Sequence, residues 1–541
     1  MGKDALREVS WICTNQGRMT PQEVLLRSHD SSLELDLSRP GFEVGAQFRF
    51  LLSVLAVAIR HQLPDHRYSA EEIDALLADG LSTHALDTAC EDLSSASDVF
   101  GDIQPFMQRP ALKPKSSKDT ARRIGAKDQE VKKLSPAMPS DQGEDYWNLL
   151  VSFPKTLDLE EAVLKLVTYH YYSMAGNNKY DGDKTRMGAP GIRYPGKTNG
   201  KGNTATEFFW CYTDLRGESL SLLRSLLASL PKSWVKGDGL PSWADRTGVK
   251  SRDQGGNLHP LWIATWSSNT AASFWEGDLL TGVRVGGVPP QWLPFPLTDK
   301  EAEARLKRWW DVRNEQDPLY LYMEDNGSHT MKAQRVDFGR DATDLAVDWI
   351  AEGKINALEE RGNDSVLPGR RASEKRFPVF LRHKVEGTAT SPSIRASQVL
   401  VANADLWGFQ LDEWQRMSVR LEANLIRSIQ RLVVGPFRGK NSRDERYESE
   451  GRTAFVIDGM EASRQDAVNE FWRNVTAIYE EFIQGFGTDY PNVEAMHKGL
   501  QKAAVQTFDN VTRPYLGQFT RQIFAVRGLL VRFIDKAIHG Q

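Results

Sequence analysis

The chain has 541 residues with 68 Lys and Arg against 72 Asp and Glu, a formal charge of −4, which excludes a polycation and confines any nucleic-acid contact to local patches. At roughly 150 residues per domain the length predicts two to four domains. Cys13, Cys90 and Cys211 lie far apart, which excludes a disulfide framework and a paired-cysteine zinc site, and the polar start without an apolar signal stretch predicts a cytoplasmic protein.

In chain order, a short extended piece around Val9 to Cys13 precedes a near-continuous apolar run of helical length, Val44 to Ile59. Its most apolar part, Phe50 to Ile59, sits between Arg49 and Arg60. That is far short of the about 20 residues a membrane span needs, so a buried helix is predicted and no membrane partner. Ser69-Ala70-Glu71-Glu72 is a capping box opening a helix that runs to Gly80. From Arg109 to Lys133 nine basic residues face three acids, with Pro110 and Pro114 among them. This predicts a basic exposed loop, 109–146, that either binds phosphate through Lys113, Lys115, Lys118, Arg122 and Arg123 or is simply solvated.

A patterned helix, Leu157 to Met174, leads into Gly176 to Gly202, where seven glycines and Asn177, Asn178 and Asn199 exclude regular structure. This segment, 175–203, also carries six cations against Asp181 and Asp183, and glycine lets a backbone approach a polyanion that the cations neutralise. Gly191 to Thr198 satisfies the phosphate-loop pattern GxxxxGK[ST]. No buried strand feeds it and Asn199-Gly200-Lys201-Gly202 cannot start a helix, so a fortuitous match is predicted over a nucleotide site. There is no HExxH and no GxSxG, and Asp181-Gly182-Asp183 is too short for a calcium loop. The expectation is therefore no catalytic residue, no metal and no cofactor.

An aromatic strand is expected from Thr204 to Tyr212, and nine of the 15 tryptophans fall between Trp210 and Trp310. Without a basic run beside them they read as core in preference to a base-stacking surface, and His259 among them as a packed histidine. Strand-length apolar runs follow at Leu319 to Met323, Val379 to Leu381 and Gln398 to Val401. After Asp412 four helical stripes appear: Trp414, Met417, Leu421, Leu425, Ile429 and Leu432; Val468, Phe471, Val475, Ile478 and Phe482; Met496, Leu500, Ala504 and Phe508; and Phe519, Ile523, Leu530 and Phe533. The predicted fold class is α+β, an irregular mixed N-terminal domain over 1–411 followed by a four-helix bundle over 412–541.

The order of these parts resembles the large subunit of the type I-E Cascade complex, the CasA family of CRISPR interference. The resemblance rests on the helix from Gln47 to Ile59, on Gln104-Pro105-Phe106-Met107-Gln108 as the family's PFMQ segment, on the Asn/Gly loop with Arg186-Met187-Gly188, and on the terminal bundle. It implies a non-catalytic, antiviral DNA-recognition subunit that works with a guide RNA and other Cascade subunits. That subunit reads a protospacer-adjacent motif on double-stranded target DNA, starts unwinding towards an R-loop and helps recruit a helicase-nuclease, while guide pairing reads the sequence.

By the same resemblance, Gly176, Asn177, Asn178, Lys179 and Arg186 form the motif-reading loop, and Asp145-Tyr146-Trp147 the loop at the guide-RNA end. A β-hairpin wedge falls near Asp405, Leu406, Trp407, Gly408, Phe409 and Gln410, whose apolar side chains are either inserted into DNA or buried in the protein. The bundle would lie beside the opened strands, offering Arg427, Arg431, Arg473, Arg513, Arg521, Arg527 and Arg532 to phosphates. The family's polar wedge tip is not reproduced in this sequence. The alternatives are a P-loop NTPase and a stand-alone duplex DNA-binding protein.

Overall fold

The computed structural model describes residues 2–64, 68–113, 130–137, 154–174, 180–182, 189–193, 202–295, 301–325, 330–354, 364–367, 373–388, 391–401, 404–408, 411–438, 455–486 and 491–540. The chain forms two compact units, one of Met1–Phe338, Glu359–Arg370 and Pro378–Leu400, the other of Gly339–Leu358, Arg371–Phe377 and Val401–Gln541.

The first unit opens with the antiparallel pair β1 (Ile12–Thr14) and β2 (Gly17–Met19), followed by α1 (Pro21–Arg27). Then come α2 (Gly41–Gln62), α3 (Ala70–Asp79), α4 (Thr83–Leu93) and α5 (Leu159–Tyr172). The Ser69 capping box forms as its sequence predicts, with Ser69 and Glu72 each accepting from the other's backbone N–H and Gly80 ending the helix at φ +79°. β3 (Gly202–Asn203) and β4 (Glu207–Asp214) both pair with the long strand β9 (Glu374–Thr388), which also pairs with β10 (Ser391–Val401). Between them lie α6 (Leu222–Ser229), α7 (Lys232–Val235), α8 (Pro260–Thr265), the antiparallel hairpin of β5 (Asn269–Glu276) and β6 (Leu279–Gly287), α9 (Ala302–Gln316), and the pair β7 (Tyr322–Asp325) and β8 (Thr330–Ala333).

Helix α2 is long and apolar enough to cross a membrane, yet it is buried from Gly41 to Ile59 inside this unit. Phe50 and Phe106 pack on Trp243 at 5.1 and 5.7 Å, and Trp262 and Trp266 form a cluster with Val288 and Leu293, so the tryptophan-rich stretch is core. The polar side chains of α2 are buried only with partners. Arg49 donates from Nε to Glu207 Oε1 at 2.6 Å and from Nη1 to Asp317 Oδ2 at 2.9 Å, joining α2 to β4 and to the turn after α9. Tyr172 Oη donates to the other Glu207 oxygen. Burial pulls the Arg49 guanidinium pKa down, but Asp317 and Glu207 outweigh it and hold it well above its ordinary value. Gly45 and Gly191 make room for the Tyr172 ring, since a Cβ at Gly191 would fall 2.6 Å from Tyr172 Cζ.

The second unit contains α10 (Ala342–Ala351), α11 (Glu413–Val434), α12 (Arg464–Gly485), α13 (Val493–Thr512) and α14 (Leu516–His539), the last four being the bundle. Where the sequence reading divides the chain at 411/412, this unit also takes in α10. Asp344 on α10 accepts from Arg340 Nε at 2.8 Å and from Arg427 Nη1 of α11 at 3.1 Å, and Asp348 pairs with the same two arginines, each at 2.8 Å.

These pairs also correct the first stripe. α11 turns Val419, Ala423, Ile426, Ile429 and Val433 inward, on the side of Arg427, and leaves Trp414, Met417 and Leu421 exposed. The helix carries two apolar stripes that share Ile429, and the buried one is the stripe of Val419, Ala423, Ile426 and Val433. Arg427 and Arg527, expected to be available for phosphates, are instead held by α10 and by both oxygens of Asp509 at 2.7 and 2.8 Å.

Two outcomes follow. Arg49→Met strands two buried carboxylates and should lower the stability of the first unit by about 3–5 kcal/mol in denaturant unfolding, because a buried charge without its partner is costly; an unchanged midpoint would refute the role. His170 on α5 is buried, with Nε2 donating to Thr265 O at 2.9 Å, and burial followed by the Arg246 charge lowers its pKa from 6.5 to about 3. The unfolded chain therefore binds a proton that the folded one does not, and stability falls as pH drops below 6.5, by about 2 kcal/mol at pH 5. Unfolding midpoints across pH should show this slope flattened in His170→Gln.

Candidate nucleic-acid interface

The PFMQ segment is a structural root. Gln104 donates from Nε2 to the carbonyls of Trp243 and Ala244 at 3.3 and 3.2 Å, and Gln108 from Nε2 to those of Val99 and Phe106 at 3.1 and 3.2 Å. Phe106 is buried against Trp11, Phe50 and Trp243, and Met107 is the one non-glycine residue with positive φ, +57°, among the described residues. This fixes the chain where the basic segment begins.

Arg109, counted in the sequence among the basic residues of that segment, turns inward. Its N–H donates to Ala271 O at 2.8 Å, its Nη1 to Gly287 O at 3.0 Å, and its Nη2 lies 3.6 Å from Asp181 Oδ1. Leu112 is buried with Tyr180 and Ala272, and Arg284 donates from Nη1 to Leu112 O at 3.2 Å while stacking over Phe274 and Tyr180 at 4.9 and 5.5 Å. Lys113 is exposed, and its backbone is tied: Lys113 N donates to Asp181 Oδ1 at 3.1 Å and Asp181 N to Lys113 O at 2.7 Å.

Tyr180 to Gly182 therefore clasp the Gly/Asn-rich segment to the root of the basic one along the β5–β6 hairpin. Gly287 N donates to Asp181 O at 3.3 Å, and Gly182, at φ +96°, lies so close that a Cβ would come 2.5 Å from Gly287 O. The structure brings the roots of the two cation-rich segments together. Of the site residues expected from sequence, Lys115, Lys118, Arg122, Arg123, Asp145, Tyr146, Trp147, Gly176, Asn177, Asn178, Lys179, Arg186, Phe409 and Gln410 lie outside the described residues. The sequence reading of Asp181-Gly182, as acid among cations and as a calcium-loop fragment, does not reveal the clasp; the signal available is an Asp-Gly pair inside a basic, glycine-rich run. Among the described residues no cluster of His, Cys, Asp or Glu is placed to hold a metal.

The start of the phosphate-loop match belongs to the core. Gly191 N donates to Tyr171 O at 2.7 Å, Ile192 is buried, and the Arg193 guanidinium is buried over the rings of Tyr320 and Tyr322 at 4.3 and 5.0 Å. Burial lowers the pKa of Arg193 to about 10. No strand leads into this turn among the described residues, and its first glycine serves the Tyr172 ring.

Of the two readings of the wedge segment, inserted or buried, the structure shows burial. Leu406 and Trp407 are 2% and 1% exposed, inside the second unit. Trp407 packs edge-on to Trp349 at 6.2 Å, Leu406 O accepts from Tyr479 Oη at 3.4 Å, and Asp405 pairs with Lys375 at 2.9 Å. Gly408 makes the turn, at φ +62°. Full burial of a Leu or Trp side chain is worth a few kcal/mol, so these residues do not stand ready in solvent. The long hairpin present here is β9–β10, whose connection, 389–390, lies outside the described residues. Trp407→Ala should lower the stability of the second unit by about 3–5 kcal/mol, as for other buried aromatics, measured by the unfolding midpoint of the full chain; a midpoint equal to the parent's would return the residue to the surface.

The mixed helix and strand content with a long C-terminal helical region fits solved structures of Cse1 proteins. The model of the family "CRISPR-associated protein Cse1" matches residues 6–334, and the chain belongs to that family, the CasA large subunits of type I-E Cascade. Similar solved structures include Thermobifida fusca Cse1, with 12% identity and TM-score 0.63 over 99% of this chain and 98% of that one. Thermus thermophilus CasA (Cse1) shows 15% identity and TM-score 0.57 over 100% of both chains. A chain of a CRISPR RNA-guided surveillance complex shows 14% identity and TM-score 0.54 over 98% and 99%. At these identities the likeness is one of fold. No curated protein sequence matches.

Proposed function

We propose that this chain is the subunit of a cytoplasmic, guide-RNA-directed Cascade effector that reads a short flanking motif on duplex DNA, starts its unwinding and helps recruit the helicase-nuclease, without chemistry or cofactor of its own. The observation that carries this reading is the clasp: Asp181, which follows Gly176 to Lys179 closely in the sequence, is bound to Lys113 and Arg109 at the root of the basic segment 109–146. A phosphate-binding segment and a small-residue loop held side by side suit a duplex, where cations take the backbone and glycine and asparagine admit the groove edge. Membership of the Cse1 family and the resemblance in fold to a chain of an RNA-guided surveillance complex support the guide RNA and sister Cascade subunits as partners. In this reading the long β9–β10 hairpin replaces Asp405–Gln410 as the wedge, because Leu406 and Trp407 of the other segment are core.

The test uses the assembled complex and three targets: duplex with the motif, duplex without it, and a motif-bearing target already melted beside the motif. Replacing Asn177 and Asn178 by Trp should remove the preference for the motif while leaving assembly intact. Replacing residues 388–391 at the hairpin tip by a Gly-Ser turn should slow opening of the intact duplex, followed by a base-unstacking fluorophore, and spare the melted target. Retained motif preference in the first variant, with unchanged opening in the second, would sink the proposal.

A further inference from the structure

We infer that an aromatic cleft on the first unit is a docking pocket for an arginine side chain presented by a protein partner, a role separate from motif reading. The cleft has a volume of about 360 Å³, near the lower end of the about 300–1,000 Å³ that ligand sites span. That is room for one large side chain. Its apolar lining comes from four places in the chain: Phe208 and Trp210 of β4, Pro231 and Trp234 at α7, Pro260 at the start of α8, and Pro318 after α9. Backbone bonds fix these walls to one another. Phe208 N donates to Leu319 O at 2.8 Å, Trp234 N to Pro231 O at 3.0 Å, and Val366 N to Leu230 O at 2.8 Å, while the three prolines each lock their own φ. Phe208 and Trp210 stand edge to face at 5.7 Å. The cleft is thus formed before anything enters it.

Its polar lining selects the sign of the occupant. No Lys, Arg or His lines the cleft, and the one charged residue that does is Asp364. Asp364 is exposed, and among the described residues its carboxylate makes no hydrogen bond or ion pair; its carbonyl alone is engaged, by Lys232 N at 3.0 Å. Ser229 and Ser365, the two buried serines of the wall, give their O–H to Ser225 O at 3.0 Å and to Leu367 O at 2.8 Å, which leaves neither proton to meet an anion. An anion would face a carboxylate and aromatic rings with no cation to offset them. A guanidinium instead stacks on an indole, pairs with Asp364 and donates to the oxygens of Ser229 and Gln316.

Within the cations, the same features favour arginine from a polypeptide. A lysine ammonium is compact and strongly hydrated, and gains less from an indole than a planar guanidinium does. A polyamine would match one charge to Asp364 and leave its others without a counter-ion in the cleft. The rim is polar and exposed at Ser233, Gln316 and Asp364, whereas Phe208, Trp210 and Trp234 are buried. An aromatic centre inside a solvated polar rim is how a protein interface receives an anchoring side chain, and arginine is among the commonest anchors.

The test titrates the full chain, labelled with fluorotryptophan, with four probes: a capped Gly-Arg-Gly peptide, the same peptide with citrulline for arginine, spermidine and guanosine. The fluorine resonances of Trp210 and Trp234 are assigned through Trp210→Phe and Trp234→Phe. The arginine peptide should shift both resonances and bind about tenfold more tightly than the citrulline peptide, which keeps the size and planarity and gives up the charge. Asp364→Asn, a substitution at an exposed position, should weaken the arginine peptide about threefold. Spermidine and guanosine should leave both resonances where they are. Equal binding of the two peptides overturns the inference, and so does an arginine-peptide affinity unchanged in Asp364→Asn. Shifts produced by guanosine or spermidine and not by the arginine peptide overturn it as well, and give the cleft to a nucleobase or a polyamine.

Discussion

The first unit is organised around one buried charge. Arg49 sits in the middle of a buried, mostly apolar helix, and it is 3% exposed. Removing a guanidinium from water is tolerable only with good partners. Glu207 from β4 and Asp317 from the turn after α9 supply them, and Tyr172 from α5 completes Glu207. Four elements far apart in sequence are therefore obliged to meet at one point. Apolar packing alone tolerates shifts of register, whereas a hydrogen-bonded ion network within a low-dielectric interior does not. The placement of β4 against β9, and with it the whole mixed sheet, depends on that meeting.

From this frame the loops hang. α5 leads towards the Gly/Asn-rich segment and β3 leaves it, so its two ends are held by the Arg49 network and the sheet, and its middle by the clasp at Asp181. The basic segment is anchored by Phe106 and Arg109 at one end. At the other, Val131 and Leu134 are buried and Ile394 N donates to Pro136 O at 2.8 Å. Both segments thus have roots fixed to the folded unit.

Charge plays two different parts in the chain. In the second unit Arg427, Asp344, Asp348 and Arg340 alternate in sign and bind α10 to α11, and Arg527 is held by Asp509. Arg431, Arg513 and Arg521 remain exposed on the bundle. The basic residues of a helix therefore sort into those that set its neighbours and those left exposed, and sequence does not label which is which.

Local signals were legible in the sequence because they act within a few residues. The Ser69 capping box, the buried helix around Phe50, the glycine-rich segment, the four-helix bundle and the core character of the tryptophans follow from capping, periodicity and composition, whose physics is short-ranged. The family was legible through PFMQ and the order of parts. What only the tertiary structure decided are the choices between locally equivalent alternatives. Trp414, Met417 and Leu421 form as good a stripe as Val419, Ala423 and Ile426, and only the folded second unit shows that the latter is the buried one. Trp407 in a short apolar turn reads equally well as a wedge or as core until Trp349 is seen beside it. Gly191 opens a perfect phosphate-loop pattern, but it is the Tyr172 ring that requires it to be glycine. Asp181 and Lys113 are 68 residues apart, and no pattern in either segment marks the other as its partner. Pairing across such separations is set by which surfaces the folded core brings together, a property of the whole chain and not of any stretch of it.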